Sequence, residues 1–167
     1  LPTIIAPDLR VLFCGINPGL RSAEIGHHYA GPGNRFWRVL HEAGFTGRLL
    51  SPAEDHILLA YGYGLTNLIE RPTRGAKTLD QEEYRRGLCR LEDLVCRYAP
   101  AYVAILGIGA YRKAFGRRHV ELGLQAQDLA EARLWVLPNP SGLNAHYQIP
   151  DLVRLYRELY QALPEKE

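Results

Sequence analysis

Apolar residues run without interruption through positions 11–14, Tyr102–Leu106 and 134–137, and each run ends at a Gly or Pro turn signal. Short apolar runs bounded in this way predict strands. Because they do not alternate with polar residues, they predict parallel strands buried on both faces. Positions 64–68 give a fourth strand. Between the strands the period changes. Over Gln81–Tyr98, residues Tyr84, Leu88, Leu91, Val95 and Tyr98 recur at helical spacing, with Arg and Glu opposite. Leu152, Leu155, Leu159 and Leu163 form a similar stripe after Pro150, which suits a first helical turn. Ser51-Pro52-Ala53-Glu54 reads as a capped helix start, and positions 34–43 predict a helix that stops at Gly44. Strands alternating with helices through short connections predict an α/β fold: a three-layer α/β/α sandwich with a mostly parallel central sheet, one domain over residues 1–167.

Composition narrows the class. The 167 residues are 47% hydrophobic and 23% charged, which is ordinary globular usage. Twenty Lys and Arg against 18 Asp and Glu leave a formal charge of +2, which excludes a histone-like basic coat but not a local basic face. No apolar stretch approaches the length of a membrane span, and the N-terminus lacks a signal-peptide layout, so the expectation is a cytoplasmic protein. The missing initiator Met leads us to expect a trimmed or processed N-terminus. Cys14, Cys89 and Cys96 show no C-x-x-C spacing and read as reduced thiols. His27 and His28 have no Cys or carboxylate at ligand spacing beside them, so no metal is expected and a loop or surface role is preferred. No cofactor is expected.

In parallel sheets ligands bind beyond the carboxyl ends of the strands, and two of those loops are unusual. Gly15-Ile16-Asn17-Pro18-Gly19 follows the first strand and leads into a Gly-rich, His-containing stretch. Pro138-Asn139-Pro140-Ser141-Gly142-Leu143-Asn144 follows the last. Gly and Pro set a tight backbone path that turns amide groups outward, although taken singly either loop is an ordinary turn. A phosphate-binding P-loop fails on spacing, since Gly15 and Gly19 are three residues apart and Leu20 and Arg21 follow. A dinucleotide fingerprint starting at Gly107 and Gly109 fails at Arg112.

Four motifs, Val11 to Gly19, Pro32-Gly33-Asn34-Arg35-Phe36-Trp37, Gly64-Leu65-Thr66-Asn67-Leu68-Ile69-Glu70-Arg71 and Asn139-Pro140-Ser141-Gly142-Leu143, occur in the order in which they resemble the mismatch-specific uracil and thymine DNA glycosylases. The resemblance implies the uracil-DNA glycosylase fold. It also implies an enzyme that flips uracil mispaired with guanine out of double-stranded DNA and hydrolyses its N-glycosidic bond, leaving an abasic site. Thymine and ethenocytosine are further candidate substrates. It implies that Asn17 places the attacking water, that Tyr29 stacks on the flipped base, and that Ser22 lies near the C5 edge of the pyrimidine. Gly15, Ile16, Pro18, Gly19, Asn34 and Asn139 complete the base pocket, with backbone N–H groups near Ile16 and Tyr29 facing the departing base.

The same resemblance makes Pro140, Ser141, Gly142, Leu143 and Asn144 a wedge for the gap left by the flipped base, with Leu143 as the plug. An Arg common two residues after that Leu is replaced here by Ala145, followed by His146. Arg21, Arg35, Arg71, Arg74 and Lys77 are expected phosphate contacts. Arg117, Arg118 and His119 form a second basic cluster. Glu24, Glu42 and Glu70 are candidate acidic helpers, with a solvated surface position favoured for each. The partner is duplex DNA, and a monomer is expected. Two rivals stay open: a lesion sensor with the same pocket and wedge but weak catalysis, and a small-molecule nucleotide binder using Gly15 to Gly19 as an anion loop.

Overall fold

In the computed structural model, which describes residues 1–165, five strands form one sheet in the order β2-β1-β3-β5-β4. The strands are β1 (Val11–Gly15), β2 (Tyr63–Asn67), β3 (Tyr102–Leu106), β4 (Gly123–Leu129) and β5 (Ala132–Leu137). The first three and β5 are parallel, with β1 pairing to both β2 and β3, and β3 to β5. Only β4 runs antiparallel, joined to β5 by a hairpin. This is the expected mostly parallel sheet.

Strands β1, β3 and β5 feed both faces because their side chains alternate. Val11 and Phe13 point into a core with Phe36, Leu40, Phe45, Tyr156 and Leu159, whereas Leu12 and Cys14 point into one with Tyr84, Leu91, Val95 and Tyr111. The first core is covered by α2 (Phe36–Ala43), α3 (Leu58–Tyr61) and α6 (Ile149–Ala162), the second by α4 (Gln81–Tyr98) and α5 (Ile108–Phe115). A short α1 (Leu20–Ile25) lies between β1 and α2. Burial pushes the Cys14 thiol up to about 12, which makes it inert packing, while Cys89 and Cys96 are exposed free thiols.

Capping fixes several helix ends, with two differences from the expected starts. Asp80 accepts from the Glu83 N–H and Glu83 from the Asp80 N–H, both at 2.9 Å, starting α4 where its periodicity begins. The Ser51 box is present too, but it opens a 3₁₀ helix (Pro52–Ile57) rather than an α-helix. The helix expected from position 34 starts at Phe36, because the Asn34 side chain accepts the Phe36 N–H at 2.9 Å and so lies outside it. Glycine matters at Gly87, where a Cβ would stand 2.2 Å from the Leu68 carbonyl oxygen; α4 lies that close to the chain leaving β2. Among the described residues no helix is long and apolar enough to cross a membrane, and no group of three or more His, Cys, Asp or Glu could hold a metal.

Candidate active site

The carboxyl ends of β1 and β2 and the loops that leave β1, β2 and β5 enclose a cleft of about 1050 Å³. Every residue expected in the base pocket lines it: Gly15, Ile16, Asn17, Pro18, Gly19, Ser22, Tyr29, Asn34 and Asn139. Ser141, Gly142, Leu143 and Asn144 reach it from the other side, while Pro140 does not line it. No Asp or Glu lines the cleft among the described residues. Glu24 pairs with Arg21 at 3.7 Å, Glu42 with Arg38 at 2.5 Å and Glu70 with Arg90 at 3.6 Å, so the candidate acidic helpers are surface ion pairs.

Asn17 is held in a defined orientation. Its side-chain nitrogen donates to the Arg71 carbonyl oxygen at 2.8 Å and to Thr73 Oγ1 at 2.7 Å. A carbonyl can only accept, so the group facing Arg71 must be the NH₂, and the amide oxygen is the atom left for a ligand. Further bonds fasten this arrangement: the Thr73 N–H donates to the Pro18 carbonyl at 3.1 Å, and Thr73 Oγ1 to the Gly75 carbonyl at 2.6 Å. Arg71 itself forms a bidentate pair with Glu83, at 2.8 and 3.1 Å, and donates to the Thr78 carbonyl. The guanidinium thus holds this loop in place, and the phosphate contact stays an expectation for it. The same pair keeps the Glu83 carboxyl at about 2, first through the Arg71 bond and then through the Asp80 N–H.

Tyr29 sits across the cleft with φ at 53°, a region that bulky residues rarely occupy. Three bonds impose it. Ser22 is buried, and its Oγ accepts the Ala30 N–H at 2.9 Å. The buried Asp55 carboxylate accepts the His28 N–H at 3.0 Å, and Trp37 Nε1 donates to the His28 carbonyl at 3.1 Å. Asp55 also meets His27 Nδ1 at 3.3 Å. Both histidines lie in a loop, as expected, although His28 is only 2% exposed and so is not a surface residue. His28 Nε2 lies 2.7 Å from the Pro2 carbonyl, which requires the proton there, and burial lowers its pKa below the ordinary 6.5. The Tyr29 ring stacks on Phe36 with centroids 4.0 Å apart. Its hydroxyl is buried without a hydrogen-bond partner, and that burial pushes its pKa upward.

Asn67 also lines the cleft, a position that the loops after β1 and β5 do not reveal. It closes β2 directly beside Gly15, its partner in the β1–β2 ladder. Arg90 secures the backbone there, donating to the Asn67 and Leu68 carbonyls at 2.9 and 2.7 Å. The strand-end rule applied to β2 as well as to β1 and β5 would have found it.

The loop after β5 is built from nested side-chain turns. Asn139 Oδ1 accepts the Ser141 N–H at 2.9 Å, Ser141 Oγ accepts the Leu143 N–H at 3.2 Å, and Asn144 Oδ1 accepts the His146 N–H at 3.3 Å. The loop displays Leu143 at 78% exposure, the most exposed large apolar side chain described. Arg35 lies beneath it, donating to the carbonyls of Pro140, Ser141, Asn144 and Tyr147. Its guanidinium is thereby engaged on the loop, and the phosphate contact stays an expectation for it. Arg21 and Arg74 stay exposed at the cleft, and Lys77 lines an adjoining recess with His146. Arg117, Arg118 and His119 line neither.

A family model described as the uracil DNA glycosylase superfamily matches residues 2–163. Among solved structures, the solution NMR structure of a candidate uracil DNA glycosylase from Methanosarcina acetivorans superposes with a TM-score of 0.58 at 18% identity. The alignment covers 96% of each chain, so the two share a fold from end to end.

Proposed function

This chain belongs to the uracil DNA glycosylase superfamily, and from that premise we propose that it excises uracil mispaired with guanine from duplex DNA. The observation that carries the reading is the orientation of Asn17, whose NH₂ is consumed by Arg71 and Thr73 in a cleft that no carboxylate lines among the described residues.

The chemistry follows from that arrangement. The bond between the sugar C1′ and the base N1 breaks with its electron pair going to the base, and the sugar gains oxocarbenium character. Water, oriented by Asn17 Oδ1, adds its oxygen to C1′ and releases a proton to solvent. An amide is a weak base, so the rate comes from placement and from donors aimed at the charge growing on the base. Backbone N–H groups of Ile16 and Tyr29 are those donors, and the Asn67 amide is a further polar contact for the base edge. The ring of Tyr29, backed by Phe36, is the stacking surface, and Ser22 stands where a C5 substituent is sensed.

Leu143 supports the duplex part of the reading. An apolar side chain held out in water by a hydrogen-bonded loop gains free energy when it is buried in a gap, and a gap is what extrusion of a base leaves. His146 and neighbouring backbone groups would meet the widowed guanine in place of the missing Arg. Arg21, Arg74 and Lys77 supply a modest phosphate grip, consistent with the net +2 and a shallow salt dependence. The acid-free cleft favours one second reading, a lesion sensor of weak catalytic power.

A panel of duplexes differing in one base pair tests the proposal. Release of uracil from U·G faster than from U·A supports it, with T·G and ethenocytosine·G reporting the width of the pocket. Equal rates on U·G and U·A remove the mismatch preference, and tight binding without base release selects the sensor.

A further inference from the structure

We propose that Arg35 is the positioning residue of the Leu143 wedge, joining the base pocket and the wedge into one rigid unit; this rests on the glycosylase reading above. Four of the five guanidinium N–H groups are used on the loop. Nε donates to the Pro140 carbonyl at 3.2 Å, one terminal nitrogen to the Tyr147 carbonyl at 2.6 Å, and the other to the Ser141 and Asn144 carbonyls at 2.7 and 3.1 Å. The Arg35 backbone N–H adds a bond to the Pro140 carbonyl at 3.1 Å. These acceptors lie on both sides of Leu143 in sequence, so one planar group sets the shape of the whole bend.

Arg35 is also tied to the pocket wall through its neighbours in the chain. Arg35 precedes α2, whose first residue Phe36 backs the Tyr29 ring, and follows Asn34, which lines the cleft. The two loops also touch directly: a Cβ at Gly142 would stand 2.7 Å from the Gly33 carbonyl oxygen. A shift of the wedge is thereby a shift of the pocket floor. The charge matters as well. No carboxylate lies within 4.0 Å of Arg35 among the described residues, so no ion pair offsets the guanidinium charge beneath the loop proposed to meet DNA.

Lysine keeps that charge but not the fork, since its three donors diverge from a single point. Arg35→Lys therefore separates geometry from electrostatics. In single-turnover cleavage of a U·G duplex, Arg35→Lys and Leu143→Ala are each expected to slow the reaction, Arg35→Lys by up to roughly 100-fold as a misplaced wedge. The double variant should be no slower than the slower single variant, because both changes remove the same event. Losses that multiply overturn the proposal. Hydrogen exchange at the Leu143, Asn144 and His146 amides provides a readout independent of catalysis: faster exchange in Arg35→Lys is expected, and exchange equal to wild type overturns the clamp. Arg35→Gln, with two donors and no charge, replaces the lysine variant if that variant loses its fold. A wild-type chain that releases no uracil contradicts the glycosylase reading alone, since the exchange experiment still reports on Arg35.

Discussion

Asn67 and Tyr29 converge on the same point beside Gly15: a Cβ at that residue would stand 2.6 Å from Asn67 Oδ1 and 2.7 Å from the Tyr29 hydroxyl oxygen. Glycine is needed there for space, not for backbone conformation. Gly15→Ala is expected to displace both polar groups from the cleft, lowering the single-turnover rate by about 100-fold. Overpacking of this kind costs roughly 1–3 kcal/mol of stability, readable in a chemical denaturation curve.

Removing the Tyr29 hydroxyl should help the free protein. A buried hydroxyl without a partner carries a desolvation cost of about 1–3 kcal/mol, which Tyr29→Phe relieves while leaving the Phe36 stack in place. A raised melting temperature is the expected outcome. Weaker binding of uracil-containing duplex by the same variant would assign the hydroxyl to the base, and an unchanged affinity would leave it to packing alone.

Thr73 acts on Asn17 without facing the water. Thr73→Val keeps the shape but removes one of the two acceptors of the Asn17 NH₂, leaving the Arg71 carbonyl to orient it. One hydrogen bond is worth about 1 kcal/mol, so the chemical step should slow about fivefold with little change in duplex affinity. A fall in affinity with the rate preserved would place Thr73 in DNA binding.

Stability should fall on mild acidification through His28. Burial is the main cause of its lowered pKa, opposed by the Pro2 hydrogen bond and by Asp55. The unfolded chain takes up a proton at about 6.5 and the folded one only lower, so below that value the unfolded state binds more protons and stability declines. Thermal midpoints between about pH 8 and pH 5 should drop for wild type and drop less for His28→Gln. Remaining above the ordinary 4.5 of Glu54 and Glu83 keeps those carboxyls, held at about 2 by Arg48 and Arg71, out of the comparison.

The parts of this site legible in the sequence are those written in local chemistry. The loops carrying Asn17 and Leu143 announce themselves as Gly- and Pro-rich turns after apolar runs, and three of the four parallel strands follow from uninterrupted hydrophobicity, β2 being diluted by Gly64 and Thr66. The antiparallel β4 escaped because Gln125, Gln127 and Asp128 dilute its apolar signal at an exposed edge. The loop-holding bonds of Arg35 and Arg71 are not legible, because a cation near a site loop reads as free until its acceptors are known. Those acceptors are the Glu83 carboxylate, 12 residues away, and backbone carbonyls more than 100 residues away. Asp55 is hidden for the same reason: only folding brings it to His28. Long-range polar contacts have no sequence period, so this layer became visible only in three dimensions.

The central claim, that an oriented amide places the water for base release, is tested most directly by single-turnover cleavage of a U·G duplex by wild type and Asn17→Ala at matched duplex occupancy. The account predicts a loss of roughly 100-fold or more in the chemical step, with melting temperature and duplex affinity close to wild type. An Asn17→Ala protein that folds normally and releases uracil at the wild-type rate would contradict it.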